Sequence, residues 1–263
     1  MMKKSTKIWL YVLFVVLLLA IIVVSNVVRN HSHVRGVKAQ IDYGVNDTLI
    51  SAAKIEEQVL LLFPTLTGQQ VQEVNQRAIR DSIMAIPYIE HCNVSISIDC
   101  HLVVEAVQSS PVMRLFLDGN ECYIDRRGRY MPIGDEGDAD VLVANEAIAE
   151  RLVNPQQLDL ATLAQDTSRR QSGVVAMWLV ACYLYDHPEV GVLFDQVYVN
   201  SDRDVVLVPK VGNHIVVVGS PDHLEQKLSD LVTFYRQGLS RVGWETYSQI
   251  NLKYEGQVIC RNR

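Results

Sequence analysis

Two groupings of residue types in this chain invite a chemical reading. His91-Cys92 and Cys100-His101 bring four metal-ligand side chains into one short stretch, and zinc takes imidazole and thiolate ligands in a tetrahedral set. Both pairs sit in segments that alternate as strands do, so neighbouring residues point to opposite faces and no more than two of the four converge. The spacing is not that of a zinc ribbon either, and the four are read as ordinary strand residues. Asp135, Glu136, Asp138 and Asp140 in GDEGDAD supply carboxylates of the kind that bind calcium. They lack the spaced ligands and the distant bidentate glutamate of an EF-hand, so they read as a solvated acidic loop. No G-x-S-x-G, phosphate-binding loop or H-E-x-x-H occurs, and the three tryptophans, Trp9, Trp178 and Trp244, are scattered. The expectation is a non-enzyme with no metal, cofactor or small-molecule substrate, acting through its surfaces.

The elements that carry those surfaces follow from periodicity. Val34 to Tyr43 reads as a first strand. A helix follows over residues 51–63, with Ser51 as N-cap and Pro64 as its stop. Thr67 with Gln70 forms a capping-box signature that predicts a second helix over residues 70–86, striped by Val71, Val74, Ala78, Ile79, Ile83 and Ile86. NVSISID then alternates, with Val94, Ile96 and Ile98 on one side, and HLVVEAV runs back after a turn near Asp99-Cys100. This predicts a small three-stranded sheet with two helices on one face.

After Arg114, Asp118-Gly119-Asn120 marks a hairpin, Asp125 to Gly128 turns the chain again, and a strand follows at Val141 to Val143. Leu152 to Arg170 is polar and weakly patterned and reads as an insertion. GVVAMWLVACYLYD reads as a buried helix, and FDQVYVN, DVVLVPK and HIVVVG as an antiparallel meander. Pro221 is expected at the first position of a further helix, with Leu224, Leu228, Leu231 and Tyr235 on one face and its end at Gly238. In the closing stretch Ser248, Ile250, Leu252 and Tyr254 alternate as a strand, Glu255-Gly256 permits a bulge or tight turn, and Gln257 to Cys260 resumes.

Ile8 to Val28 carries no ionisable residue, and a helix of that length matches a bilayer core of roughly 30 Å. It is expected to be a single transmembrane helix, with residues 1–7 in the cytoplasm and the remainder outside it. Six of the 24 basic residues precede the first acid, Asp42, leaving 18 against 30 acids in the rest of the chain. Such a balance excludes nucleic acid as a partner, since phosphate contacts need clustered Lys and Arg. The five cysteines, Cys92, Cys100, Cys122, Cys182 and Cys260, are odd in number and irregular in spacing, so they do not form a disulfide framework. A hairpin turning near residue 99 also pairs Cys92 with residues around 106 rather than with Cys100.

Strand, helix, helix, strand, strand directly after an apolar anchor looks like a POTRA domain, here over residues 34–108. The exit phrase Leu102-Val103-Val104-Glu105 with Pro111-Val112-Met113-Arg114 resembles that of the FtsQ/DivIB family of bacterial cell-division proteins. Tyr123-Ile124-Asp125, Gly128 and Met131-Pro132 are similar to the opening of that family's second domain, here residues 112–263. Most specific is Phe234-Tyr235 followed by Ile250-Asn251-Leu252-Lys253-Tyr254 and Gly256, which resembles the family's C-terminus.

The resemblance implies an α+β fold: a single N-terminal transmembrane helix, a POTRA domain, then a mostly antiparallel β domain with flanking helices. It implies a single-pass protein of the bacterial inner membrane, periplasmic beyond its helix, that acts as a non-enzymatic scaffold at the division septum. Partners would be FtsB/FtsL-type division proteins, bound by strand addition at the C-terminal strand through Ile250, Leu252, Lys253, Tyr254 and Gly256. The POTRA-like sheet edge would serve other division proteins. Two other classes stay open: a membrane-tethered periplasmic chaperone or transport accessory, which needs an open apolar groove, and an anchored envelope hydrolase.

Overall fold

The computed structural model describes residue 9 and residues 12–23, 32–44, 47–117, 120–145, 159–165 and 172–263. The chain divides into two compact units, Met1–Gly44 with Ile50–Gln108, and Val45–Leu49 with Ser109–Arg263.

The first unit contains β1 (Gly36–Asp42), α1 (Ala52–Leu62), α2 (Gln76–Met84), β2 (Ile89–Ile96) and β3 (His101–Gln108). β3 lies in the middle of the sheet, parallel to β1 and antiparallel to β2. The alternation of β2 and β3 sends Cys92, Val94, Leu102, Val104 and Ala106 into one core, where Ile55 and Val59 of α1 meet Ile79 and Ile83 of α2. Ser51 caps α1 by accepting from the Lys54 N–H. The second helix is shorter than the capping-box signature predicts. Val71–Glu73 forms a single 3₁₀ turn, Val74 is extended, and α2 starts after Asn75, whose side chain accepts from the Ala78 N–H. Asn is among the strongest N-caps, so the local cap at Asn75 outcompetes the upstream one. Ile98, expected on the inward side, is 89% exposed, because β2 stops at Ile96 and the turn passes through Cys100 in a left-handed conformation (φ 63°). Cys92 stands opposite Ala106.

The expected single N-terminal transmembrane helix over residues 8–28 is corrected. Among the described residues, no helix is long and apolar enough to cross a membrane. Residue 9 and residues 12–23 are helical. Residues 1–8, 10–11 and 24–28 of the expected tail and span lie outside the described residues.

The second unit is built on one nine-stranded sheet in the order β12-β11-β10-β9-β8-β7-β4-β5-β6. Its strands are β4 (Pro111–Leu117), β5 (Asn120–Asp125), β6 (Tyr130–Pro132), β7 (Leu142–Asn145), β8 (Phe194–Val199), β9 (Val205–Pro209), β10 (Ile215–Gly219), β11 (Tyr247–Asn251) and β12 (Ile259–Asn262). The longer helices are α3 (Leu160–Gln165), α4 (Gly173–Asp186) and, after the short α5 (Pro188–Gly191), α6 (Leu224–Phe234). The sheet is mostly antiparallel, as expected, in five of its eight pairings, but β4 with β7, β7 with β8, and β10 with β11 pair in parallel. Parallel neighbours need a crossover: helices occupy the connection between β7 and β8, and α6 that between β10 and β11.

Eight residues of α4 are buried, from Val174 to Leu184, and Leu224, Leu228 and Leu231 of α6 join the same core. The expected start of this helix at Pro221 is displaced by His223, which takes a left-handed conformation (φ 56°) directly before Leu224. Nor does Gly238 end it. The chain passes through a π-helical turn at Tyr235–Leu239 and α7 (Ser240–Val242) to Gly243 at φ 94°. Gly238 is needed for space, as a Cβ there would lie 2.7 Å from the Phe234 ring. Asp118 and Gly119 of the expected hairpin, and residues 152–158 and 166–170 of the expected insertion, lie outside the described residues.

Candidate functional site

Among the described residues of the first unit, no catalytic arrangement forms around the His and Cys side chains. Ser97, Asp99 and His101 gather at the β2–β3 turn as a Ser/His/Asp grouping that the alternation did not single out. The Ser97 hydroxyl bonds to the Asp99 carboxylate and accepts from the His101 N–H at 3.1 Å. Asp99 is also 3.0 Å from His101 Nδ1 and 3.2 Å from Lys38 Nζ. A nucleophile must hand its proton to a base, whereas here the serine bonds the acid directly, so the trio stitches a turn. The hydroxyl and Lys38 hold the Asp99 carboxyl well below the usual range. Among the described residues, no group of three or more His, Cys, Asp or Glu side chains is placed to hold a metal ion. All five cysteines are free. In the acidic loop, Asp138 accepts from the Tyr123 hydroxyl at 3.0 Å.

The structure distributes the five residues expected to bind a partner over two environments. Ile250 lies in β11 between Val216 of β10 and Cys260 of β12. Ile250 and Leu252 are 0% and 2% exposed and belong to the second unit's core. The Leu252 N–H is also used, donating to the Val217 carbonyl at 2.8 Å. These two side chains fasten the strand and do not reach the surface. Lys253, Tyr254 and Gly256 lie beyond it on an exposed turn.

Few bonds hold that turn. The Lys253 N–H donates to Asn251 Oδ1 at 2.9 Å and the Gln257 N–H to the Tyr254 carbonyl at 3.2 Å. Lys253 Nζ reaches Asp204 Oδ2 at 2.7 Å, and this bond raises the lysine's pKa. The lysine stem crosses Gly219, where a Cβ would lie 2.7 Å from Lys253 Cγ.

Between this turn and the start of α6 runs an open groove of about 510 Å³, lined by Leu252 to Gln257 on one side and by Ser220 to His223 with Gln226, Lys227 and Asp230 on the other. Lys227 Nζ donates to the Val218 and Ser220 carbonyls at 3.0 and 2.8 Å, and burial pushes its pKa down. The lining mixes acids, bases and amides, so it is not an apolar groove.

The sheet's outer edge at this end is β12 (Ile259–Asn262), with Ile259 exposed. β11, the strand that carries the motif, is paired on both sides. Sequence reasoning missed Ile259 to Asn262 as the edge, and it missed Asp204 and Lys227. Only the resumption of strand character at Gln257 pointed to β12, and nothing local marks the other two.

The chain matches no curated protein. A family model described as FtsQ/DivIB, C-terminal related, matches residues 110–261, which take in the nine-stranded sheet except the last residue of β12, and the exposed turn. The match covers more than half of the chain, and this protein therefore belongs to the FtsQ/DivIB family, a non-enzymatic family of cell-division proteins that act at the division site.

Proposed function

We propose that this protein is a scaffold of the bacterial division machinery that binds FtsB/FtsL-type division proteins at the septum by adding a partner strand along the outer edge of β12. The observation that carries the proposal is the combination of an edge strand at the end of the large sheet with an exposed turn beside it that spends few of its own polar groups. Successive residues of a strand turn their N–H and C=O groups to opposite sides, so four residues offer about four outward groups at most. At about 0.5–1.5 kcal/mol each these supply roughly 2–6 kcal/mol, short of the roughly 8 kcal/mol of a micromolar complex. Side chains must contribute the rest, and Lys253, Tyr254 and Ile259 are exposed where they can do so. The first unit has the POTRA order, and its sheet edge would serve other division proteins.

The test is binding of the chain to the FtsB–FtsL pair of the same organism, with Cys260→Pro and Arg261→Pro measured alongside. These neighbours present their N–H groups to opposite sides of β12, so one proline removes a donor facing β11 and the other a donor facing outward. The expected result is that wild type binds, and that one variant keeps a wild-type unfolding profile yet loses binding. If both folded variants bind as wild type does, the partner docks elsewhere. If wild type does not bind, the FtsB/FtsL assignment fails and the chaperone class moves ahead.

A further inference from the structure

One buried titratable group stands at the root of this edge. His214 precedes β10 and is 2% exposed. Its Nε2 is 2.8 Å from the Tyr235 hydroxyl, and its Nδ1 finds no hydrogen-bond partner among the described residues. Tyr235 opens the π-helical turn, and the Tyr235 ring stands edge-on to both His214 and Trp244. Turns of this kind are rare and recur at functional positions. Gly212, at φ 87°, makes room for the histidine: a Cβ there would lie 2.8 Å from Nδ1.

The same corner ties down the end of β12. Glu245, in the turn before β11, accepts from Asn213 Nδ2 at 3.0 Å and from Arg263 Nη1 at 2.9 Å. Arg263 Nη2 reaches the Asn213 carbonyl at 3.4 Å, and the Arg263 N–H reaches the Thr246 carbonyl at 3.4 Å. The residue holding the chain's last strand in place is thus bonded to the neighbour of the buried histidine. The titratable and charged groups facing this corner are Tyr235 from the π turn, Glu245 from the turn before β11 and Arg263 from the end of β12.

We propose that His214 is a proton-sensitive latch for the β12 edge: neutral, it packs beneath the Asn213–Glu245–Arg263 clamp; protonated, it drives that corner open and frees β12. The functional weight of this latch rests on the reading that β12 is the partner's edge. The physical reason is that a second ring proton in a buried site with no acceptor for it at Nδ1 is far costlier than in water. Glu245 attracts the imidazolium and offsets part of that cost. Burial outweighs it and holds the histidine's pKa below 6.5. A base whose folded pKa is depressed binds protons more readily when released. Stability is therefore full above about pH 6.5 and falls as the pH drops below it, by up to tenfold per pH unit, the limit for one titrating group.

The experiment is hydrogen exchange of the full chain between about pH 7.5 and 5.5, following residues 247–263 and dividing out the intrinsic pH dependence of exchange. Opening of β12 is expected to rise by up to about tenfold per pH unit in wild type. It should be flat in His214→Gln, whose amide reaches the Tyr235 hydroxyl without titrating, and in the ring-sized His214→Phe. No rise in wild type overturns the proposal whatever the variants do, and so does a rise that persists in either variant. Binding of the same partner pair separates the two readings. Loss of binding that tracks β12 opening supports both. Binding that survives opening sinks the docking edge but leaves the latch, while pH-independent β12 protection with intact binding sinks the latch alone.

Discussion

The two ends of the nine-stranded sheet each close on a turn with a left-handed glycine, and they are built in opposite ways. At the β5–β6 end, the Asp125 carboxylate accepts from the Arg127 and Arg129 N–H groups at 2.9 and 2.8 Å and from Arg129 Nε at 2.9 Å. The Asp125 carbonyl accepts from Trp178 Nε1 at 3.0 Å, and the Gly128 carbonyl from the Leu160 N–H at 2.9 Å. A Cβ on Gly128 would lie 2.7 Å from the Ala161 N, so this glycine serves both a φ of 78° and a close approach. At the β11–β12 end, Gly256 serves φ alone (67°), with nothing within 4 Å of a Cβ. One end fastens its turn inward. The other is held by few bonds, chiefly those of Lys253 and Gln257, and residues 253–257 stay exposed.

The largest test of that contrast is Trp178→Ala. It removes a buried indole from α4 together with the bond to the Asp125 carbonyl, and Trp→Ala in a core costs about 3–5 kcal/mol. Unfolding of the second unit, followed by exchange of the β4 and β5 amides, should become easier by that amount. A cost below about 1 kcal/mol would mean that the fastened end is fastened only in appearance.

Next comes Leu252→Ala, at the root of the open turn. Leu252 is buried, but its chain neighbours on the Lys253 side are exposed and able to settle into the space it leaves. We expect about 2–3 kcal/mol, the lower part of the range for core leucines. A loss as large as that of Trp178→Ala would show that the open end is as rigidly packed as the fastened one.

Much of this architecture was legible because burial imposes a period. The meander of β8 to β10, the heavily buried α4 and the apolar face of α6 all follow from alternation or helical spacing. What period cannot give is the neighbour. Ile250, Leu252 and Tyr254 share one parity, yet the first two face the core and Tyr254 falls on the turn, because the strand ends at Asn251 and Leu252 takes the last bond to β10. Which strand forms the edge depends on pairing between distant segments: Cys260 sits outside Ile250 only because β12 folds back past Gly256. The π turn was equally hidden, since the spacing of Leu224, Leu228, Leu231 and Tyr235 fits an uninterrupted helix.

Two thiols report on the same contrast through kinetics. Cys122 lies in β5 at the fastened end, and burial pushes its pKa up to about 11. Cys260 lies in β12, where it is only partly covered and burial raises its pKa as well, by less than the shift at Cys122. Thiolate is the reactive form, and each pKa unit lowers its fraction about tenfold below the pKa. At about pH 8, alkylation of Cys260 should outpace that of Cys122 by at least tenfold, equivalent to about 1.4 kcal/mol. Equal rates would place both strands in one cooperative opening and remove the distinction between the ends.

The smallest effect on stability is expected at Tyr254, and its smallness is informative. The side chain is 56% exposed, so Tyr254→Ala should move the unfolding free energy by no more than about 0.5 kcal/mol. If the open turn exists to meet a partner, the same change should weaken FtsB–FtsL binding by about 1–2 kcal/mol, as an aromatic anchor at an interface does. A residue that the fold does not need and the complex does would separate the purposes of the two ends. The reverse outcome, a destabilised chain that binds normally, would make Tyr254 a fastening like Trp178 and leave the proposed edge without its side-chain contact.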